Sequence, residues 1–223
     1  QEELDEVNAI IDVAKRIKTN SKVTALKQAL EIGSSYQHDH GIAQKAVVFT
    51  ESKRTQKYIA EELRKSGYGE EDIILFNGGF DDAMSKEIYQ AWQAKNYGNA
   101  NYGRSVEYKH AIVDYFWENA KILICTDAGS EGLNLQFCNT VINYDLPWNP
   151  MKIEQRIGRC HRYGQQNDVV AINLLNTQNE ADKRVYEILS KKFELFEGVF
   201  GASDIAIGAL ESGTSFEKTV LDI

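Results

Sequence analysis

Proline is nearly missing from this chain: there are two, Pro147 and Pro150, and both fall in a single turn. Helices and strands elsewhere are thus free of its interruption. Cysteine is scarce and unpatterned. Cys125, Cys138 and Cys160 have no Cys-x-x-Cys spacing and lie in apolar or motif segments, which argues against a disulfide framework and reads as reduced, buried thiols of a cytoplasmic protein. His38 and His40 flank Asp39 but have no His or Cys partner at ligand spacing, so they read as solvated rather than metal-bound. Positive charge is in deficit: 25 Lys and Arg against 33 Asp and Glu give a formal net charge of −8, the wrong sign for attachment to nucleic acid by bulk electrostatics. No apolar run approaches the length of a membrane span, and no charged start leads into an apolar segment. Neither membrane insertion nor secretion is expected. Finally, no Gly-Lys dipeptide exists in the chain, so a phosphate-binding loop of the Gly-x-x-x-x-Gly-Lys type is excluded.

What remains is an ordinary globular composition, 43% hydrophobic and 10% aromatic over 223 residues, enough for one core or one domain with appended helices. Residues 3–18 and 22–32 carry apolar positions at helical spacing, and a polar loop follows near Ser34 to Gln44. Lys45 to Thr50 reads as a strand, Arg54 to Ser66 as an amphipathic helix closed by Gly67, and Ile73 to Phe76 as a second strand. A helix near Val106 to Trp117, strands at Ile122 to Thr126 and Val141 to Tyr144, a helix over 151–162, a strand at Val169 to Leu175 and a helix from about Glu180 to Glu197 complete the pattern. This alternation implies an α/β fold, a parallel sheet with helices on both faces in three layers, flanked by N- and C-terminal helices. We divide it into linker or brace helices at 1–33, a main lobe at 34–178 and a C-terminal helix with a brace tail at 179–223. Residues 80–105 are longer than a crossover needs and hold Tyr89, Trp92, Tyr97 and Tyr102. With four acids and four bases over 81–110, they are read as an insertion, helical at first and mobile after Lys95, in preference to an aromatic stacking surface for nucleic acid.

Two segments carry chemistry. Gln155-Arg-Ile-Gly-Arg-Cys-His-Arg-Tyr-Gly-Gln165 sets three arginines at three-residue intervals beside two glycines. If 151–162 is helical, ~100° per residue places Gln155, Arg159 and Arg162 on one face and Ile153, Ile157 and Cys160 on the opposite one. The polar face suits a transferring phosphate, since guanidinium forks onto two oxygens. Against Glu154, the bases Lys152, Arg156, Arg159 and Arg162 concentrate positive charge here. Upstream, Ile122 to Gln136 runs from an apolar strand into the polar turn Thr-Asp-Ala-Gly-Ser-Glu-Gly, and ligands of α/β sheets sit at such carboxyl ends.

Together these segments resemble motifs V and VI of superfamily 2 helicases and translocases. Trp148-Asn-Pro150 and the Arg-x-x-Arg-x-Gly-Gln run at 159–165 point to the Swi/Snf-like branch, and Ser130-Glu-Gly-x-Asn-x-Gln-Phe137 to its bacterial type, which includes translocases that recycle RNA polymerase. The resemblance covers about 45–175 and implies a RecA-like C-terminal lobe. It assigns Arg159 and Arg162 as arginine fingers for ATP held by a first lobe, Gln155 to nucleotide or the motif V loop, and Arg156 to bracing. Asp127 would contact ribose or a finger, or cap a helix. Thr126, Gly129, Ser130 and Gly132 would offer a hydroxyl and close backbone approach to nucleotide or nucleic-acid phosphate. Motif IV adds Thr50 or Ser52, either as a contact to the tracking strand or as the cap of the following helix. Most eukaryotic remodellers carry a basic residue or glycine where Asp127 and Glu131 stand; Glu131 would repel phosphate, a departure that favours the bacterial type.

The resemblance therefore implies an ATP-dependent double-stranded DNA translocase, with magnesium held mainly by the absent first lobe. Its partners would be that lobe, duplex DNA, and RNA polymerase or another DNA-processing protein. Asp5-Glu-Val-Asn8 matches an Asp-Glu-x-x pattern only superficially, lying in an amphipathic helix with no preceding strand. The chain alone should hydrolyse nothing. Trp148-Asn-Pro150 and Tyr163-Gly-Gln165 weigh against a strand-separating helicase; a non-catalytic module retaining the fold is the remaining alternative. Residues 198–210 form a Gly-interrupted apolar tail, either a brace or a weakly ordered end.

Overall fold

The computed structural model describes residues 4, 6–8, 11–12, 20–79, 82–96, 103–176, 179–180, 182–188 and 207–209. Its elements are α1 (Ser21–Asp39), β1 (Ala46–Phe49), α2 (Lys53–Arg64), β2 (Ile73–Phe76), α3 (Ala83–Lys95), α4 (Arg104–Glu118), β3 (Ile122–Cys125), α5 (Asp127–Ser130), β4 (Thr140–Asn143), α6 (Pro150–Ile157), β5 (Val170–Asn173) and β6 (Ile207–Ala209). The strands form one sheet in the order β2-β3-β1-β4-β5-β6, every pair parallel.

The four-residue apolar runs make strands because both of their faces are covered. Along β1 and β3, Val47, Phe49, Leu123 and Cys125 face a layer built with Ile88, Tyr108, Ile112 and Phe116 of α3 and α4 and with Ile153 and Ile157 of α6. Ala46, Val48, Ile122 and Ile124 face the other layer, with Val23, Leu26 and Leu30 of α1 and Ile59 and Leu63 of α2. The α/β, RecA-like, three-layer expectation is met. Of the flanking helices, residues 182–188 are helical; most of 1–19, and everything between 189 and 206, lie outside the described residues, as do 97–102, where mobility was expected. The insertion does begin as a helix, α3. In the C-terminal tail, β6 adds a strand parallel to β5.

Two elements depart from expectation. The loop placed at Ser34 to Gln44 starts late, since α1 continues to Asp39. Its apolar stripe of Leu26, Ala29 and Leu30 is carried on by two atypical residues, Gly33 and Gln37. A Cβ on Gly33 would lie 3.3 Å from Thr140 Cγ2, and Gln37 Nε2 donates to Lys45 O (2.8 Å), Asn139 Oδ1 (2.6 Å) and Thr140 Oγ1 (2.9 Å). Tertiary hydrogen bonds thus extend a helix whose local propensity is poor. The helix over 151–162 is shorter: α6 ends at Ile157 with Gly158 as its cap, and the chain continues in turns through Gly164 at φ +102°.

Candidate functional site

The carboxyl ends of β3, β1 and β4 lie side by side, and one side chain spans all three. Arg156 is the bulkiest fully buried side chain among the described residues. Its Nε and Nη2 donate to Asp127 Oδ1 and Oδ2 at 2.6 and 3.0 Å, and its Nη1 donates to Asn143 Oδ1 at 3.0 Å and Asp145 O at 2.8 Å. The guanidinium carbon stands 5.1 Å from the Phe49 ring centroid, a cation–π contact away from water. Burial pushes the Asp127 carboxyl up, but the Arg156 hydrogen bonds and charge, with Lys152 at 3.6 Å, outweigh it and hold the group below its ordinary value. The bracing role expected of Arg156 is therefore visible atom by atom. Asp127 pairs with this brace, and the cap of α5 is Thr126, whose Oγ1 accepts from Gly129 N at 3.3 Å.

Asp145 is a second junction, and Asn143 links the first to β5. Asp145 Oδ2 accepts from Thr50 Oγ1 at 2.6 Å and from Glu51 N at 3.2 Å, while Oδ1 takes Lys22 Nζ at 3.3 Å. Asn143 Nδ2 donates to Asn173 Oδ1 at 2.8 Å. Burial, then the Asp145 charge, push the neighbouring Tyr144 phenol up to about 12. Neither Asn143 nor Asp145 was singled out from sequence, although an Asn inside an apolar strand with an Asp just beyond its end was the available signal. For the motif IV pair the structure separates the roles: Ser52 caps α2 and accepts from Arg54 N at 3.1 Å, whereas Thr50 is buried and its hydroxyl is committed to Asp145. In this conformation Thr50 shapes the turn and presents no surface to a strand.

The motif V turn is held from within. Ser130 Oγ donates to Asp127 O at 2.9 Å, and both Thr126 and Ser130 are buried. Gly129 does allow a close backbone approach, but to its own fold: a Cβ there would stand 2.6 Å from Phe76 O and 2.8 Å from Asn77 Cα. Gly132 sits at φ +79°, where a side chain is strained. Beyond it, Leu133 and Leu135 are buried while Glu131, Gly132, Asn134 and Gln136 are exposed. The outward chemistry of this loop is thus the alternate positions, which the strict alternation from 132 to 136 encodes. Lys109 Nζ donates to Glu131 O at 2.7 Å, and Leu135 N donates to Arg159 O at 2.9 Å, tying this loop to the arginine segment.

That segment is not one helical face. Gln155 is exposed on α6; Arg159 and Arg162 follow the end of the helix. Arg162 Nε donates to Gly158 O at 3.1 Å, and its side chain is exposed. Arg159 is half-buried, and its Nε, shielded from solvent, has no hydrogen-bond partner among the described residues. Ile153, Ile157 and Cys160 are buried, as the expected apolar face requires. Trp148, Met151 and Tyr163 around the segment are exposed.

Comparison with known proteins decides what this arrangement is. The helicase conserved C-terminal domain family matches residues 21–164. The chain belongs to this family. It is 33% identical over 219 residues to an uncharacterized ATP-dependent helicase, YqhH, of Bacillus subtilis (strain 168), covering 98% of this chain and 32% of that protein. It is 52% identical over 52 residues to the RNA polymerase-associated protein RapA of Proteus mirabilis, covering 23% of this chain and 5% of that one. The resemblance to the bacterial C-terminal helicase lobe is thereby borne out. Among solved structures, the C-terminal part of the Fun30 ATPase domain superposes with a TM-score of 0.53 at 20% identity, covering 75% of this chain and 45% of that one; this likeness concerns the fold alone. The helicase lobe spans about a third of the length of YqhH.

Proposed function

We propose that this lobe is the second motor lobe of an ATP-dependent double-stranded DNA translocase of Swi/Snf-like type. It supplies Arg159 and Arg162 to the γ-phosphate of an ATP held, with its magnesium, mainly by a first lobe, and is inactive without that lobe. The observation that carries this reading is the contrast between neighbouring arginines. Arg156 spends its guanidinium inside the lobe, on Asp127, Asn143 and Asp145 O, whereas the Arg159 Nε is shielded and unpartnered. A buried donor without an acceptor is costly, and because this one is shielded from solvent, an oxyanion from another lobe would satisfy it only as the Arg159 side chain turns outward, joining the already exposed Arg162. The residues therefore fit a phosphate ligand. The exposed Trp148, Met151 and Tyr163 are the apolar and aromatic residues a lobe–lobe interface would bury.

Gln155, exposed one turn before Arg159, would face the nucleotide or the motif V loop. Asp127 would act through Arg156, holding α6 against that loop. For DNA, the exposed edge runs through Gly132, Asn134 and Gln136, with Thr126, Gly129 and Ser130 fixing the loop from beneath and Ser52 at the start of α2. The names of YqhH and RapA, an ATP-dependent helicase and an RNA polymerase-associated protein, support a nucleic-acid motor and make the polymerase a candidate partner.

The test uses the parent protein with its first lobe. In steady-state ATPase kinetics, Arg159→Ala and Arg162→Ala should lower kcat at least ~100-fold with ATP and DNA affinities retained, as expected for charge that acts in the transition state. Arg159→Lys should not restore the rate, because an ammonium cannot fork onto two oxygens. Near-normal kcat in both alanine variants would remove the finger assignment.

A further inference from the structure

Away from the carboxyl edge, α3 and α4 enclose a groove that the motor reading does not use. Tyr89 Oη donates to Glu107 Oε2 (3.0 Å), Trp92 Nε1 to Asp114 Oδ2 (2.7 Å), and Lys95 Nζ pairs with Glu118 Oε1 (3.4 Å). Partner numbers rise together, so the two helices run side by side in the same direction. Between them and the turn before β2 lies a space of about 810 Å³. Because Glu70 and Glu71 precede β2 and Glu118 precedes β3, it reaches the amino end of the sheet, beside the edge strand β2 and opposite the arginines.

The walls divide by chemistry. Met84, Trp92 and Tyr115 supply apolar and aromatic surface over the buried Ile88, and among the described lining residues Glu70, Glu71, Glu87, Asp114 and Glu118 supply five carboxylates against the single cation of Lys95. Three of the five have partners: Glu70 pairs with Arg64 at 2.8 Å, Asp114 accepts from Trp92, and Glu118 holds Lys95. Glu71 and Glu87 are exposed, and their carboxylates have no hydrogen-bond or ion-pair partner among the described residues. Burial and the Glu71 charge push the Tyr115 phenol up, so the carboxylate field reaches the aromatic floor.

We propose that this groove docks a basic, amphipathic helical segment of a partner protein. The carboxylate rim repels a phosphodiester backbone and attracts Lys and Arg, which rules nucleic acid out as the occupant on charge complementarity. From Met84 to Asn96 the groove follows α3 for ~18 Å, or about three helical turns. Along that length the half-buried Met84 and Trp92, two turns apart, with the exposed Ala91 between them and the buried Ile88 beneath, form an apolar strip that receives apolar side chains of a docked helix while its charged flanks meet the rim. The site is independent of the motor reading, since no residue in it belongs to motifs IV to VI.

The probe is a fluorescein-labelled 14-residue Leu/Lys peptide with leucines at i, i+3, i+4 and i+7, titrated into the 223-residue chain, with a same-composition scramble and a Leu/Glu counterpart as controls. Binding in the ~10 µM range at low salt is expected for the amphipathic cationic peptide only. In 15N-edited spectra the Trp92 indole N–H should shift on titration and that of Trp148 should not. Glu71→Lys/Glu87→Lys should weaken binding at least tenfold, and Ala91→Gln, which narrows the groove without changing charge, at least threefold. Glu61→Lys/Asp168→Lys, exposed acids elsewhere, should change it less than twofold. Absence of binding, equal binding of the scramble, equal loss in both charge-reversed doubles, no effect of Ala91→Gln, or an unmoved Trp92 signal would each overturn the proposal.

Discussion

Arg156→Ala should be the most damaging conservative test of this lobe's architecture, and its size follows from the contacts. The substitution strands the Asp127 carboxylate, Asn143 Oδ1 and Asp145 O at once, all acceptors of the lost guanidinium. Breaking a buried pair by removing one partner costs ~3–5 kcal/mol. The Asp127 side chain is 29% exposed and keeps Lys152 at 3.6 Å, which argues for the lower end, about 3 kcal/mol. At ~2–4 °C per kcal/mol for a domain of this size, Tm should fall by roughly 6–12 °C. Urea unfolding of the 223-residue chain followed by far-UV circular dichroism measures the free energy directly. Arg156→Lys, which keeps charge but not the fork, should lie between. A cycle with Asp127→Asn should return a coupling of about 2 kcal/mol. Because the folded Asp127 is held below its ordinary value, the pair contributes stability above the unfolded carboxyl's pKa and loses it as pH falls through the folded one. The gap between wild type and Arg156→Ala should thus be flat from about pH 5 to 8 and shrink below ~4. A loss under ~1 kcal/mol, or a coupling indistinguishable from zero, would show that Arg156 is not the brace described.

Three further outcomes are expected. The chain by itself should show no DNA-stimulated ATP hydrolysis in a coupled assay, and motor-like turnover by a preparation free of contaminating ATPases would contradict the half-site reading. Duplex DNA should bind it no tighter than ~1 µM at physiological salt with a shallow salt slope, given a net charge of −8; fluorescence anisotropy over a salt series tests this, and nanomolar, steeply salt-dependent binding would reveal an unrecognised basic surface. Gly129→Ala should destabilise by ~1–3 kcal/mol because its Cβ meets the backbone of Phe76 and Asn77, whereas Gly103→Ala, with nothing within 4 Å of its Cβ, should cost no more than ~1 kcal/mol in the same denaturation assay, the amount lost when Ala replaces Gly as the cap of α4.

The strands and most helices were readable because fully buried parallel strands leave short unbroken apolar runs, and Val47–Phe49 or Ile122–Cys125 can hardly be anything else beside amphipathic helices. What escaped depends on contacts distant in sequence. Gly33 to Asp39 has the composition of a loop, and only the reach of Gln37 to Asn139 and Thr140 explains why it stays helical. The arginine run presented three equal candidates at equal spacing; its periodicity set Arg156 apart from the other two, and the structure buries Arg156 while leaving Arg162 exposed. The end of α6 at Gly158 was not legible, because a glycine with αR dihedrals can continue a helix as readily as close one. In the motif V turn, the residue types suggested ligand contact, while the geometry gives the hydroxyls of Thr126 and Ser130 local backbone partners.

The bond from Leu135 N to Arg159 O has a mechanical consequence. At 2.9 Å it leaves only a few tenths of an ångström before the contact is lost, so a displacement of the loop after β3 must either break it or drag the arginine's peptide along. The link is made of main chain on both sides. Exchanging either side chain leaves it standing, and only a residue without an amide hydrogen at 135 removes it. Loop and arginine therefore share a lever whose stiffness is set by the peptide bond itself.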